Sequence, residues 1–316
     1  MSASIMLVCP YFGGFPGWFP YFVESCRHNP TVDFCLYADA DSPVELPPNL
    51  QIRKTTFAEY NAHVSDRLKI SFEAARPYKL CDLKPATGYL HEDVFEGYDF
   101  WGYCDIDLIF GDIRAILTPE VLSHNVITTH AKRTAGHFSI YRNTEAYRTA
   151  FMNCKNWREI YQDPKNHRFS ERIFSNQFVK FKSGAAFLRP LWEMMNPLAR
   201  NIYFREQYTT HSNKIRWEDG SLNFPTEWYW KKGKVTNNAS SREFIYFHFM
   251  RWKTYWDESM DWSAGDAKDD EGTISAAGFF TGENQSKASQ IEVPGADKGP
   301  KEKAQTDERD KELSLQ

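Results

Sequence analysis

Within its first forty residues the chain runs strand, loop, helix, strand, and that order fixes the fold class. Residues 5–9 are a short apolar run stopped by Pro10, the pattern of a strand buried on both faces. Residues 11–20 hold three glycines and two prolines and read as a loop. Residues 19–28 carry a helical pattern that ends before Asn29-Pro30, and residues 32–37 form a second strand closing at Ala38-Asp39. A strand–helix–strand unit implies parallel strands joined by a right-handed crossover. The expected class is α/β: a mixed, mostly parallel, Rossmann-like sheet flanked by helices, with a small antiparallel element near the C-terminus.

Further along, the pattern predicts helices over 65–76 and 78–90, broken at Pro77. A strand follows over 100–104, with others over 125–129 and 137–141. Helices are expected over 144–153 and 187–201. Residues 217–249 are rich in aromatics, with turn signals at Asp219-Gly220 and Lys232-Gly233. They read as short antiparallel strands ending in 244–250. After residue 262 Gly, Ala, Ser, Asp, Glu and Lys dominate, and Phe279 and Phe280 are the only aromatics. The expectation is one domain over 1–262 and a disordered tail over 263–316, because such a composition buries too little apolar surface to offset chain ordering.

A net charge of −4 gives no electrostatic footprint for nucleic acid. None of the six cysteines forms a C-x-x-C pair. The start lacks the basic and apolar regions of a secretion signal, and no apolar run is long enough to span a bilayer. The expectation is therefore a reducing, cytoplasmic setting, with peripheral membrane association left open.

The sharpest chemical feature is Trp101-Gly102-Tyr103-Cys104-Asp105-Ile106-Asp107-Leu108-Ile109-Phe110. An apolar strand runs directly into two acids spaced two apart. In extended backbone such residues point to one face, and two carboxylates there repel unless a cation lies between them. The C-terminal end of a strand is also where open α/β sheets seat ligands. Mg²⁺ or Mn²⁺ fits this arrangement. Corner acids that merely solubilise a turn are the alternative, but they need no apolar flanks. An EF-hand is excluded, because Leu108-Ile109-Phe110 stands where further oxygen ligands belong.

His248 lies in an aromatic run, Phe244 to Met250. In a strand Phe247 and Phe249 face away from it, and its imidazole suits a Mn²⁺-like ion. A hydrogen-bonded core histidine is the other reading. Lys79 and Asp82 lie three apart on an expected helix and share a face. They are candidates to hold phosphate and sugar hydroxyls, or else form a surface ion pair. Pro10, Tyr11 and Phe12 at the first strand's end, and Asp39 at the second's, fall where a doubly wound sheet would seat a nucleotide. Gly13-Gly14-x-x-Gly17 is neither a dinucleotide fingerprint nor a P-loop.

Taken together these motifs resemble glycosyltransferases of the GT-A fold, and more closely an uncharacterised family of polysaccharide-biosynthesis glycosyltransferase-like proteins. The resemblance rests on Pro10-Tyr11-Phe12-Gly13, on Tyr78-Lys79-Leu80-Cys81-Asp82-Leu83-Lys84-Pro85, on Trp101 to Asp107, and on Gly136 to Asn143. It covers roughly residues 5 to 255. It implies a nucleoside-diphosphate-sugar donor and a divalent metal held by Asp105 and Asp107, with His248 as the late histidine that joins them. It implies diphosphate contact for Lys253, at a spacing one residue short, and donor-sugar contact for Asp82. An acidic pair of relatives matches Ser170-Glu171, so one acid is lost.

The implied reaction moves a sugar to a hydroxyl of a glycan or other acceptor. An inverting enzyme needs a base to deprotonate that hydroxyl, and Glu171 and Asp163 are the candidates. Two rivals stand beside this reading. One is a Mg²⁺-dependent phosphohydrolase with Asp105 as nucleophile, although its acidic motif should follow the first strand. The other is a non-catalytic carbohydrate-binding module that stacks sugars on its aromatics.

Overall fold

Side-chain alternation along the first strand sets the layering. A computed structural model describes residues 3–180, 186–211, 215–250, 252–254 and 271–281. In β1 (Ile5–Pro10), Met6 and Val8 enter one apolar cluster and Ile5, Leu7 and Cys9 the other. A strand that is apolar on both faces must be covered on both. Helix α1 (Phe19–Arg27) covers the second face through Phe19, Phe22 and Val23. Helix α2 (Phe57–Leu68) covers the first through Tyr60, Val64 and Leu68.

The strands that follow are β2 (Asp33–Ala38), β3 (Leu50–Lys54), β4 (Phe100–Cys104), β5 (Leu108–Phe110), β6 (Val126–Thr128), β7 (Phe138–Arg142) and β8 (Ile202–Phe204). All but β5 join one sheet of order β3-β2-β1-β4-β7-β6-β8. Only β7 runs against its neighbours. The chain leaves β1 outward to β2 and β3, then returns to place β4 on the other side of β1. The carboxyl ends of β1 and β4 therefore flank a topological switch point, the place where such sheets bind ligands. The expected mixed, mostly parallel sheet flanked by helices is what this chain forms.

Close packing explains the Trp101-Gly102 pair. A Cβ on Gly102 would lie 2.7 Å from Leu7, Ile140 and the Ser139 carbonyl, so no larger residue fits between β1 and β7. Trp101 stacks on Tyr141 at 4.4 Å.

The antiparallel element is also present. β9 (Glu227–Lys231), β10 (Lys234–Asn237) and β11 (Ser240–Phe244) form a meander. The run predicted over 244–250 is divided, because β12 (Tyr246–His248) leaves that sheet and pairs antiparallel with β5.

Several expectations need correction. The helix predicted over 65–76 is α2, eight residues earlier. Its start is a capping box, with the Thr56 side chain accepting from the Glu59 amide and Glu59 reaching back to the Thr56 amide, a signal present in the sequence. Lys69 ends it in the left-handed region at φ 54. The span 78–90 is a 3₁₀ stretch, Pro77–Ala86, before one α-helical turn, Thr87–Leu90. The helices over 144–153 and 187–201 are likewise shorter. They form Glu145–Arg148 followed by 3₁₀ Ala150–Asn153, and Arg189–Met195 ended before Pro197.

The ordered chain does not stop at 262. β13 (Glu271–Ser275) and β14 (Gly278–Thr281) make a hairpin that adds to β9. Ile274 is fully buried, and Phe279 stacks on Tyr21 at 3.9 Å. The local composition is poor in apolar residues, but the few it has pack on an aromatic surface built by distant parts of the chain. The rest of 263–316 lies outside the described residues.

Candidate functional site

Asp105 and Asp107 sit in the bend between β4 and β5, not on an extended strand. The Asp105 amide donates to the His137 carbonyl at 3.0 Å, which extends the β4–β7 ladder by one rung. β12 then brings a residue 141 positions distant to the same place. Its register sets His248 opposite Leu108, and the Phe249 amide donates to the Asp107 carbonyl at 3.3 Å. One ligand atom from each of Asp105, Asp107 and His248 lies within 4.8 Å of the other two.

This cluster could hold a metal ion. Its chemistry fits a divalent cation of the Mg²⁺ or Mn²⁺ kind, with two carboxylates and one imidazole. The buried Oδ1 of Asp107 has no hydrogen-bond partner and faces His248 Nε2 at 3.4 Å. Thr210 Oγ1 lies 3.1 Å from His248 Nδ1. That contact occupies the other ring nitrogen and leaves Nε2 to face the carboxylates.

Two lysines complete the site. Lys84 Nζ donates to Asp105 Oδ1 at 2.5 Å, and Lys253 Nζ donates to Asp107 Oδ2 at 2.9 Å. Burial pushes the Asp107 carboxyl up, but Lys253 and His248 outweigh it and hold the group well below the usual carboxylate range. Burial pulls both ammonium groups down, yet their aspartates leave each raised overall. The two acids and two lysines carry no net charge together.

The remaining expected residues separate into three groups. Tyr11 follows β1 directly; burial raises its hydroxyl pKa, and the charges of Lys253, Asp107 and Asp39 reach it. Pro10 ends β1 beside it. Asp39 is exposed and its carboxylate accepts from the Gly13 amide at 3.1 and 3.3 Å. It thus holds the glycine loop at φ 101, a conformation that favours glycine.

Phe12, Lys79 and Asp82 do not face the site. Phe12 is buried against Phe57 and Tyr60. Lys79 and Asp82 form a buried ion pair at 2.9 Å, with side chains 2% and 0% exposed. Lys79 also donates to the carbonyls of Ile160 and Lys165, and Asp82 accepts from the His167 and Phe169 amides. The pair pins the 163–169 loop, so the expected phosphate and sugar contacts are corrected to a structural role. In a 3₁₀ helix residues three apart eclipse one another. Lys79 and Asp82 therefore turn inward together, while Cys81 and Lys84 share the face toward Asp105.

The two candidate bases differ in placement. Glu171 sits on a π-helical turn, Ser170–Phe174, and lies against Gly136, where an added Cβ would meet its Oε1 at 3.2 Å. Gly136 adjoins His137, whose carbonyl anchors Asp105. Asp163 instead bonds the Lys165 amide and His167 Nε2 of its own loop at 2.9 and 2.8 Å.

Lys84, Thr210 and His137 contact Asp105 or His248 without a sequence pattern that singles them out. Lys84 stands inside the quoted motif, and only its helix type hides its direction. His137 packs tilted against His248, ring centroids 4.1 Å apart, and lies 2.7 Å from the Tyr246 hydroxyl through Nε2. Burial, with His248 and His130 beside it, keeps its pKa well below the usual histidine range.

The model of a family of unknown function, DUF6625, matches residues 7–279. No curated protein matches the chain. Two similar solved structures are crystal structures of the glycosyltransferase GlyE in Streptococcus pneumoniae TIGR4, the second in its apo-form. They are 14% and 13% identical to this chain, each with a TM-score of 0.29. Each match covers 83% of this chain and 62% of that one, so the chain spans less than two thirds of their length. At such distance the chemistry has to be read from the site's own residues.

Proposed function

We propose that this chain, which belongs to the family of unknown function DUF6625, is a metal-dependent glycosyltransferase that uses a nucleoside-diphosphate sugar. The observation that carries the reading is the cluster itself: two carboxylates and an imidazole within 4.8 Å, at the switch point of a mostly parallel sheet. The four charged groups there sum to zero, so a bound divalent cation would leave two positive charges, matched to a diphosphate, and would stabilise the negative charge on that leaving group.

The chain's own residues have distinct parts. Asp105, Asp107 and His248 hold the cation. Lys253 helps keep Asp107 ionised, Lys84 pairs with Asp105, and both stand ready as cations beside the diphosphate. Pro10, Tyr11 and Asp39 form the wall toward the nucleotide. If the transfer inverts, Glu171, which lies against Gly136 beside the residue that anchors Asp105, takes a proton from the acceptor hydroxyl of a glycan in this reading; Asp163 is engaged within its own loop. The location of Asp105 after the fourth strand of the central sheet, bound by Lys84, disfavours a phosphohydrolase with Asp105 as nucleophile.

A panel of nucleotide sugars screened by thermal shift, with Mn²⁺ and with chelator, tests this. A donor that binds the folded state raises the melting temperature by mass action. The reading requires at least one donor whose shift depends on Mn²⁺; shifts that persist in chelator, or a glycan that binds without metal, would favour a binding module.

A further inference from the structure

Four of the seven exposed large hydrophobics among the described residues lie in one short segment: Phe187, Leu191, Met194 and Met195. They are 81%, 53%, 64% and 75% exposed. Leu191, Met194 and Met195 stand at i, i+3 and i+4 on the helix Arg189–Met195 and share one face. Phe187 precedes Leu191 by one turn. This is the spacing of a core-facing stripe, but it points to solvent, and no residue of that helix is buried. A contiguous apolar patch on a water-soluble surface marks a contact site.

The chain segment that carries the stripe is basic. Arg200 donates to the carbonyls of Glu193 and Met194, both at 2.7 Å, and so sits at the helix end. Arg189 projects from the helix beside the backbone of Lys180. Glu193, paired with Arg189, is the helix's one acid. Residues 155–205 hold ten Lys or Arg against four Asp or Glu, in a chain whose net charge is −4. A second copy of the chain suits this face poorly, because a two-fold contact would set like cations against one another.

We infer that the Phe187–Met195 face docks on the surface of an anionic lipid bilayer. The apolar stripe would enter the headgroup boundary while the exposed Arg200 and other cations of this segment meet lipid phosphates. The helix spans no membrane; no helix of the described residues is long and apolar enough for that. The segment is tied to the chain that carries Glu171, since Asn196 donates to the Gln177 carbonyl at 2.8 Å.

The test is co-sedimentation of the full chain with vesicles of phosphatidylcholine alone or with phosphatidylglycerol added. The wild type is expected to bind the anionic vesicles at least about tenfold more tightly, with the difference shrinking in high salt. The double variant L191E/M195E is expected to lose at least about tenfold in anionic-vesicle affinity, with its melting temperature unchanged because both side chains are exposed. Equal binding by the variant, or no wild-type binding at low salt, overturns the inference. So does a wild-type dimer that the variant converts to monomer without any vesicle binding, which would assign the face to a second copy.

Discussion

Asp107 presents its buried Oδ1 to His248 Nε2 across 3.4 Å with no hydrogen bond of its own. A buried carboxylate oxygen left bare is costly, and a cation between the two groups would satisfy both. His248→Ala should therefore weaken Mn²⁺ affinity, and Thr210→Val, which frees the other ring nitrogen, should weaken it by roughly 10–100-fold. Metal titration followed by calorimetry checks both; unchanged affinity in His248→Ala makes the histidine structural.

The Lys79–Asp82 pair should behave as a fold element. Asp82→Asn leaves a buried ammonium without its counter-charge, at a cost of about 3–5 kcal/mol. Thermal denaturation should show a drop of roughly 10 °C, whereas the Mn²⁺ affinity of the folded protein at low temperature should hold. A loss of metal or donor affinity without loss of stability would return Asp82 to the site.

The hairpin of β13 and β14 should matter to stability although it follows a low-complexity stretch. A chain ended at residue 262 uncovers the β9 edge, Trp228 and Trp230, and removes the Tyr21–Phe279 stack. It should melt well below a chain ended at 285, which should match the full length. Equal melting of all three would make the hairpin dispensable.

Acid stability should report His91. Burial, aided by the charge of His63, lowers its pKa from 6.5 to about 3. The folded state thus keeps it neutral while the unfolded chain takes up a proton below pH 6.5. Its contribution is complete above that pH and is lost as pH falls toward 3, at up to about 1.4 kcal/mol per pH unit. In urea titrations between pH 7 and 4, His91→Phe should lose stability less steeply than wild type. Parallel slopes would contradict this.

Much of the architecture was legible because strand burial writes itself into sequence. The runs at 5–9, 32–37 and 100–104 are apolar on both faces, and β1, β2 and β4 follow. The two aspartates were legible for the same reason, since apolar flanks fixed where the strand ends. What failed was direction. Lys79, Asp82 and Lys84 share one motif, and only the 3₁₀ winding sends the first two inward and the third toward Asp105. β5 was missed because three residues show no period. The hairpin at 271–281 was hidden because its few apolar residues gain their worth from Trp228, Trp230 and Tyr21, far away in the chain.

In the proposed function, Asp105, Asp107 and His248 hold a metal that in turn binds a nucleoside diphosphate. Calorimetric titration of UDP and GDP into wild type and Asp107→Asn, with and without Mn²⁺, tests it most directly. At least one nucleotide should bind only when Mn²⁺ is present, with a loss of at least about 100-fold in Asp107→Asn. Nucleotide binding that ignores Mn²⁺, or that survives intact in a folded Asp107→Asn protein, would contradict it.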